Sequence, residues 1–509
     1  MQRGAVLITT LLGCASPPSL DPCVGPDQLG DPAIDPTLAP GAVGQWWSSE
    51  EHPFDVDHPD TIWFECPRAI AHALERMPDL AFGPIAPRPA DTTIIDVDPA
   101  TTYQTMLGTG ISMEAASVAN LGALGPDLRH EALVRVFDPI HGMGLQLVRV
   151  TIGTSDFAST RWYTYDDVPA GDDALAGFSI EPDRQLGILD VLREIHAIAP
   201  DVQFFASPWS PPGWMKDSGK ITGGALRTDK IAIYALYLRR FVEAYRDEGI
   251  PIAALTLQNE PRADNDQMPS CLVTAEQEAS LATALADELA TANLPTKIWA
   301  YDHNFDAVVD YATDVLRDPS AAAVISGIAL HDYAGDPSAM SAVHERFPDH
   351  DLVFTEKTLW GVAGVDRAAQ YFRNWARSYV SWLAMLDQDG GPNPGPNSEK
   401  PRRFIRSLRY AGAPYYATPE HYLFGLYSRF VQVGAARIAS SPGSAATVTD
   451  VAFANPDGTI AVIVINQSDV AQSFVLRAGS LELATSLDAR TAATYLWRAE
   501  APQARSERF

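Results

Sequence analysis

The chain has 509 residues, of which 46% are hydrophobic and 20% charged, a balance that excludes wholesale disorder. Its length suits about three domains, or one large barrel with an accessory domain. With 37 Lys and Arg against 64 Asp and Glu, the formal net charge is −27, which argues against nucleic acid and anionic membrane surfaces as partners and leaves neutral, cationic and glycan ligands open.

Residues 1–14 have the layout of an export signal. One positive charge precedes the apolar run A-V-L-I-T-T-L-L-G, which is too short to span a bilayer as a mature helix. Cys14 follows directly in L-L-G-C-A-S, a string that resembles the lipobox of bacterial lipoproteins. We therefore expect an exported protein: either an envelope lipoprotein with a lipid anchor at Cys14, or a secreted protein in which this cysteine is incidental.

Residues 15–90 are rich in Pro, Gly and Asp, and this composition predicts an irregular lead-in or tether. Two aromatic pairs within it, Trp46–Trp47 and Trp63–Phe64, indicate that part of the segment packs on the body of the protein.

The remaining cysteines are Cys23, Cys66 and Cys271. In an exported protein Cys23 and Cys66 are the plausible disulfide pair, which leaves Cys271 unpaired. No C-x-x-C or H-E-x-x-H spacing occurs, so the sequence gives no support for a zinc site.

Between residues 105 and 432, short apolar runs alternate with amphipathic helical patterns. Helices are predicted over Thr228 to Glu248, Thr274 to Ala292 and Val365 to Tyr379, where apolar residues recur at three- and four-residue spacing. Several apolar runs lack polar alternation, as parallel strands covered on both faces require. Such βα units in series predict a (β/α)8 TIM barrel. The eight strand candidates are M-L-G-T-G-I, L-Q-L-V-R-V-T-I, V-Q-F-F-A-S, I-A-A-L-T-L, K-I-W-A-Y, I-S-G-I-A-L, D-L-V-F-T and Y-V-S-W-L-A-M.

Residues 433–500 have a different pattern. Apolar strand-like runs are separated by turn sequences such as N-P-D-G, with no helical pattern between them. This pattern predicts a small antiparallel β-sandwich after the barrel. T-T-I-I-D-V-D-P, within 91–104, is expected to contribute a strand to it, and 501–509 is a tail.

The active site of such a barrel lies at the carboxyl ends of its strands. Glu260 ends the fourth run, in T-L-Q-N-E-P, and Glu356 ends the seventh, in V-F-T-E-K. These two strands face each other across the mouth, and two carboxyls there suit glycoside hydrolysis, one as a protonated acid and one facing the anomeric carbon. The other polar or aromatic residues of these ends are Asp156, Trp209, Trp214, Asn259, Asp302, His303, Asn304, His331, Tyr333 and Trp382.

Each of these residues also has a structural interpretation. A glutamate at a strand end can be a salt-bridged rim residue, His331 a structural histidine and Trp214 simple packing. His303 and Asn304 fit a scaffold role better than a chemical one.

Taken together, these strings resemble glycoside hydrolase family 30, the family of acid β-glucosylceramidase. The resemblance runs from about Thr101 to about Leu496, in family order and at family spacing. The strings that carry it include L-V-R-V-T-I-G-T-S-D-F-A, A-S-P-W-S-P-P-G-W-M-K, G-I-P-I-A-A-L-T-L-Q-N-E-P, G-I-A-L-H-D-Y, F-P-D-H-D-L-V-F-T-E and H-Y-L-F-G-L-Y-S-R-F.

The resemblance implies a retaining β-glycosidase acting on a carbohydrate or glycolipid, with no metal or organic cofactor. Glu260 matches the family's acid/base, Glu356 its nucleophile, and Asn259 the residue that holds the sugar 2-hydroxyl. It also implies a barrel with a β-sandwich built from both chain ends. The residues that match positions lining the sugar site are Trp209, His331, Tyr333 and Trp382.

Three departures from the family pattern touch sugar or aglycone recognition. Ala115 stands where many members carry an aspartate that holds the distal hydroxyls of glucose, and Glu114, one position earlier, is the candidate substitute. H-W-Y has become H-D-Y, and W-N-L-A-L has become W-L-A-M-L. The sequence therefore predicts the chemistry better than glucose specificity, and the alternative is a glycan-binding surface protein without turnover.

Overall fold

The computed structural model describes residues 36–50, 72–358, 361–387, 390–395, 405–407, 415–444 and 446–499. The export signal with Cys14, the Cys23–Cys66 pairing and the tail lie outside these residues. Within them, every helix is too short or too polar to cross a membrane.

Four strands precede the barrel. The sequence predicted one strand in 91–104 and an irregular segment over 15–90, but three of these strands fall within that segment. Trp46 and Trp47 lie on the first of them, where they are buried, because this strand pairs antiparallel with the last strand of the chain, Trp46 opposite Thr494. Neither of its two pairing partners adjoins it in the chain, so local composition did not reveal it. The strands are β1 (Ala42–Ser49), β2 (Glu75–Ala81), β3 (Gly83–Pro84) and β4 (Ile94–Thr105).

Eight parallel strands form the barrel. It closes between its last two strands in chain order, where the Arg377 amide donates to the Leu352 carbonyl at 2.8 Å. The strands are β5 (Gly108–Ser112), β6 (Leu147–Ile152), β7 (Gln203–Pro208), β8 (Ile252–Thr256), β9 (Lys297–Asn304), β10 (Ile325–His331), β11 (Asp351–Glu356) and β12 (Ser378–Ser381).

Helices cover the outside of the barrel through their apolar faces. The helix α5, Ile231–Asp247, buries Tyr234, Leu238, Phe241 and Tyr245, the spacing that predicted it. The predicted helix over Val365 to Tyr379 was placed too late, because its last residues belong to β12. The helices are α1 (Ala115–Ala123), α2 (Pro126–Phe137), α3 (Glu181–Gln185), α4 (Ile188–Ile198), α5 (Ile231–Asp247), α6 (Ala275–Thr291), α7 (Val308–Leu316), α8 (Pro319–Val324), α9 (Ser338–Arg346), α10 (Gly361–Arg373) and α11 (Pro419–Ser428).

The accessory domain is a ten-stranded sheet around its own core, and both ends of the chain contribute to it. The remaining strands are β13 (Met385–Asp387), β14 (Ile405–Ser407), β15 (Tyr415–Ala417), β16 (Ala436–Ser440), β17 (Thr449–Ala454), β18 (Thr459–Asn466), β19 (Gln472–Ala478), β20 (Leu481–Leu487) and β21 (Thr491–Arg498). The strand order of the accessory sheet is β2-β1-β21-β18-β17-β16-β4-β19-β20-β3, and a small separate sheet of β13, β14 and β15 follows the barrel.

Candidate active site

The barrel interior changes from apolar to polar over one step of the strand pleat. Side chains two residues apart on a strand share a face, so each strand contributes successive layers to the interior. The lower layer is an apolar cluster that includes Leu147, Phe205, Ala254, Ala329 and Val353. Two residues further on, each of the same strands carries a buried polar side chain: Arg149, Ser207, Thr256, His331 and Thr355.

Asp302, at the end of β9, lies at the centre of the polar layer and is fully buried. Burial alone would raise its pKa, but the Arg149 guanidinium and His331 hold the pKa of this carboxyl well below its usual range. It is therefore a fixed negative charge at the base of the site. Its hydrogen-bond donors are Arg149 Nη2 (2.8 Å), Ser207 Oγ (3.0 Å), Thr256 Oγ1 (2.7 Å) and Thr355 Oγ1 (2.6 Å), and His331 Nε2 lies 3.0 Å away.

Arg149, on β6, joins this charge to the mouth of the barrel. Its guanidinium donates to Glu356 and, at 2.9 Å, to Oδ1 of Asn259, and it lies 4.8 Å from the ring centre of Trp209. Burial alone would lower its pKa, but the carboxylates of Asp302 and Glu356 raise the pKa of Arg149 further. Arg149 therefore stays charged and fixes the position of Glu356.

Glu260 and Glu356 approach each other at the mouth. An oxygen of each, together with a ring nitrogen of His331, lie within 4.8 Å of one another. The side chains of Glu260 and Glu356 are 18% and 8% exposed, so both reach the pocket. Tyr333 donates its hydroxyl to Glu356 Oε1 at 2.8 Å. The nearest oxygens are therefore closer than the roughly 6.5–9.5 Å between the carboxyls of an inverting glycosidase, which agrees with a retaining pair.

Two histidines of opposite character flank Glu260. His331 is fully buried, and although burial lowers its pKa, the carboxylates of Glu356 and Asp302 raise it to about 9. Its Nδ1 lies 3.4 Å from Glu260 Oε1. Burial alone would raise the pKa of Glu260, but the His331 imidazolium lowers it, and the net effect is a decrease. Burial lowers the pKa of His303 to about 4, so that ring is neutral.

An aromatic wall closes one side of the pocket. Trp209 and Trp382 stack with ring centres 5.3 Å apart, and Phe157 packs edge-on against Trp382. Tyr333, which binds Glu356, is 46% exposed, and Lys357 Nζ lies 4.3 Å from its ring centre. Flat apolar faces beside carboxylates and amides suit a sugar ring, which has C–H faces and a hydroxyl rim.

The structure brings most of the predicted site residues into one pocket. The directly connected ones are Asn259, Glu260, His331, Tyr333 and Glu356, with Trp209 and Trp382 as the wall.

Two predicted site residues are connected to this group by charge. Glu114 is fully buried, and its charge adds to the raised pKa of Arg149, whose main influences are burial, Asp302 and Glu356. Asp156 acts similarly on Tyr333, whose ring is partly exposed but whose hydroxyl lies against Glu356, where desolvation and the charge of Glu356 raise its pKa most.

Two other residues considered from the sequence turn out to be structural. Trp214 donates its indole N–H to the Asp166 carbonyl at 2.9 Å and lies under Lys230, which agrees with packing. Asp332, the changed residue of the H-D-Y string, forms an ion pair with Arg367 and accepts from the Tyr371 hydroxyl at 2.5 Å.

Sequence reasoning missed Arg149 and gave Asp302 no role. A signal for both was present: an arginine inside L-V-R-V-T-I, a run predicted to be buried on both faces, requires a buried partner of opposite charge.

The three residues that come within 4.8 Å could by distance alone hold a metal ion. However, Arg149 and Tyr333 already bind Glu356, and the nitrogens of His331 face Asp302 and Glu260. The donor set therefore suits proton transfer and attack at carbon better than coordination.

Comparison with known proteins gives a consistent result over both domains. Residues 106–431 match the model of the glycosyl hydrolase family 30 TIM-barrel domain, and residues 434–495 match that of the family's β-sandwich domain. A putative glucosylceramidase of Caenorhabditis elegans is 31% identical over 414 residues, 74% of this chain and 78% of the relative. An endo-1,6-β-D-glucanase of Trichoderma harzianum is 30% identical over 408 residues, 75% of this chain and 81% of the relative. The solved structure of an endo-β-1,6-glucanase superposes with a TM-score of 0.78 at 27% identity, covering 90% of this chain and all of the other.

Proposed function

The chain belongs to glycosyl hydrolase family 30 and is a retaining glycoside hydrolase, and we propose that Glu356 and Glu260 carry its reaction as nucleophile and acid/base. The observation that carries this proposal is the approach of their oxygens to within 4.8 Å in one pocket. An inverting mechanism holds its water between carboxyls roughly 6.5–9.5 Å apart, so an approach this close favours direct attack by one of the carboxyls.

Glu356 suits the role of nucleophile because both of its carboxyl oxygens are held in place by hydrogen bonds. Arg149 binds one oxygen and Tyr333 the other, so the side chain is fixed before substrate arrives. Attack on the anomeric carbon forms a C–O bond to Glu356, while the bond to the leaving oxygen breaks. The carboxylate charge disappears in the resulting glycosyl ester.

Glu260 suits the acid/base because its proton affinity responds to the reaction. In the open site the His331 imidazolium lowers the pKa of Glu260. A bound sugar removes water from Glu260, and desolvation raises the pKa of a carboxyl, which favours proton donation to the leaving oxygen. Once Glu356 is esterified its charge is gone, the pKa falls again, and Glu260 takes a proton from the water that releases the sugar.

We propose that the substrates are β-glucosides of primary alcohols. The relatives named above are a putative glucosylceramidase and an endo-1,6-β-glucanase, and in both named substrates a glucose is linked to an oxygen on a CH₂ group. Such an oxygen is less crowded than a ring oxygen and is a poor leaving group without a proton. A pocket with a solvent-accessible Glu260 and an open Tyr333 flank suits this linkage.

A linkage and sugar panel tests this substrate class. We expect hydrolysis of gentiobiose and octyl β-glucoside at least about tenfold faster, in kcat/KM, than of cellobiose, with the β-anomer of glucose released first. The matched sugar series is the 4-nitrophenyl β-glucoside, xyloside, galactoside and fucoside. Preference for a 1,4-linkage or another sugar would contradict the substrate class, whereas glycan binding without any turnover would support the non-catalytic alternative.

Glu260→Gln should separate substrates by leaving group. An amide cannot protonate the leaving oxygen, and general acid catalysis contributes about 10²–10⁴-fold. We therefore expect kcat/KM to fall by about that factor for octyl β-glucoside and by less than about tenfold for 2,4-dinitrophenyl β-glucoside, whose phenolate needs no proton. Steady-state rates on both substrates are the measurement, and Glu276→Gln, on the exposed face of α6, is the control. Equal losses on both substrates would assign Glu260 another role.

We also propose that the protein acts outside the cytoplasm. The support is the signal-like composition of residues 1–14 and the lipobox-like string that ends in Cys14.

A further inference from the structure

The end of β9 contains two consecutive left-handed residues that are not glycine. Tyr301 has a φ of 76° and Asp302 a φ of 53°. A side chain makes this conformation unfavourable, and it persists only where surrounding contacts hold it. The register of β9 with β10 shifts at these two residues, and this irregular step within the strand, the 301–302 turn, needs a specific support.

This turn contacts both proposed catalytic glutamates. The Asp302 carbonyl accepts the backbone N–H of Glu260 at 3.0 Å. The Asp302 carboxylate accepts from Arg149 at 2.8 Å, and Arg149 in turn binds Glu356. A shift of the turn would consequently move the acid/base and the nucleophile relative to each other.

Glu278 supports the turn from outside the barrel. It lies in the first turns of α6, whose start is fixed by a capping box between Thr274 and Gln277. The side chain is fully buried, and its Oε1 accepts the N–H of Tyr301 at 2.9 Å. Burial raises the pKa of Glu278 to about 7, so the carboxyl is partly protonated at neutral pH and a glutamine resembles it closely.

Burying a carboxyl at this position costs desolvation free energy, which its hydrogen bond to the Tyr301 amide must offset. An apolar residue of similar volume on the barrel-facing side of α6 would avoid the desolvation of an acid. The neighbours of Glu278 on α6 show the apolar alternative, since Leu281, Ala282 and Leu285 are all buried.

We propose that Glu278 is a positioning residue, which fixes the Tyr301 amide and thereby holds Asp302, Arg149 and the two glutamates in their reactive arrangement. This positioning role rests on the proposed function only in taking Glu260 and Glu356 as the reacting groups. Glu278 acts through the turn and touches neither substrate nor the reacting atoms.

The test compares Glu278→Gln, Glu278→Asp and Glu278→Leu in the full chain. Glutamine keeps an oxygen at the same reach, so we expect kcat within about threefold of the parent enzyme. Aspartate withdraws that oxygen by one methylene, and leucine removes it. In both variants kcat should fall by about 10–100-fold, because misplacement of catalytic groups by about 1 Å can cost that much, while KM should change by less than about threefold. The substrate is 4-nitrophenyl β-glucoside, and Glu276→Gln on the same helix is the matched control.

Labelling by a cyclitol epoxide counts competent active sites in each variant, so a loss through unfolding is separated from a loss per site. Glu278→Asp keeps the carboxyl and covers the case in which the leucine variant fails to fold. Full activity per site in the aspartate variant, or an equal loss in the glutamine variant, would overturn the inference. Turnover surviving in Glu356→Gly would instead refute the proposed function. The kcat values of the Glu278 variants could still be compared with one another.

Discussion

Glu356→Gly is expected to reduce hydrolysis of 4-nitrophenyl β-glucoside by about four orders of magnitude or more, because no carboxylate remains to attack the anomeric carbon. Sodium azide should restore part of the turnover by entering the vacated space. Since azide then attacks from the face that Glu356 occupied, the product should be α-glucosyl azide. Steady-state rates and the anomeric coupling constant in proton NMR measure the two expectations.

The reciprocal variant is the control for this stereochemistry. In Glu260→Gly the nucleophile is intact, so azide should intercept the glycosyl-enzyme and give β-glucosyl azide. If Glu356→Gly gave the β-azide and Glu260→Gly the α-azide, the two roles would be exchanged. The geometry favours Glu356 as nucleophile and Glu260 as acid/base, because Arg149 and Tyr333 bind Glu356 while Glu260 faces His331.

Arg149→Met should have the second largest effect, and it should act on both activity and stability. The substitution removes the cation that binds Glu356 and leaves Asp302 as a buried charge. Losing one partner of a buried ion pair costs about 3–5 kcal/mol of unfolding free energy. We expect kcat to fall by about 10²–10³-fold, as when a preorganised electrostatic contact is lost. Urea denaturation and steady-state kinetics are the measurements.

A double variant separates the two effects of Arg149. Asp302→Asn added to Arg149→Met removes the buried negative charge that Arg149 had balanced, so stability should recover in large part while activity should not. Arg193→Met, which removes an exposed ion pair with Glu248, is the control and should cost less than about 1 kcal/mol. If Arg149→Met unfolded at the parent urea concentration with unchanged kcat, the buried charge network would have no role in this site.

The architecture could be predicted from the sequence because the signals for it are local. A buried strand and an amphipathic helix each leave a pattern within a short window, and the βα alternation identified the barrel. The predicted helix over Val365 to Tyr379 shows the limit, because α10 ends at Arg373 and the last two predicted residues, Ser378 and Tyr379, belong to β12. The apolar pattern continues across that junction although the conformation changes.

The β-sandwich shows a different limit. Its C-terminal strands alternate with turn sequences and were predicted, whereas β1 lies in a segment whose Pro, Gly and Asp content indicated irregular structure. That strand forms because Gly44 to Ser49 find a partner in Thr491 to Leu496, at the other end of the chain. Pairing with so distant a segment leaves no local turn signal, and only the Trp46–Trp47 pair indicated that this part of the segment packs on the body.

The sequence alone determined which residues lie at the mouth of the barrel, because a residue that follows a buried strand must be at its carboxyl end. That rule found Glu260, Glu356, His331 and Tyr333. It could not determine which charged side chains form ion pairs inside the barrel, since this depends on how the strands close into a ring. Arg149 and Asp302 are 153 residues apart along the chain, yet they form the ion pair that aims Glu356. Only the closed barrel brings them together, in an interior where each charge must have its partner because water cannot reach it.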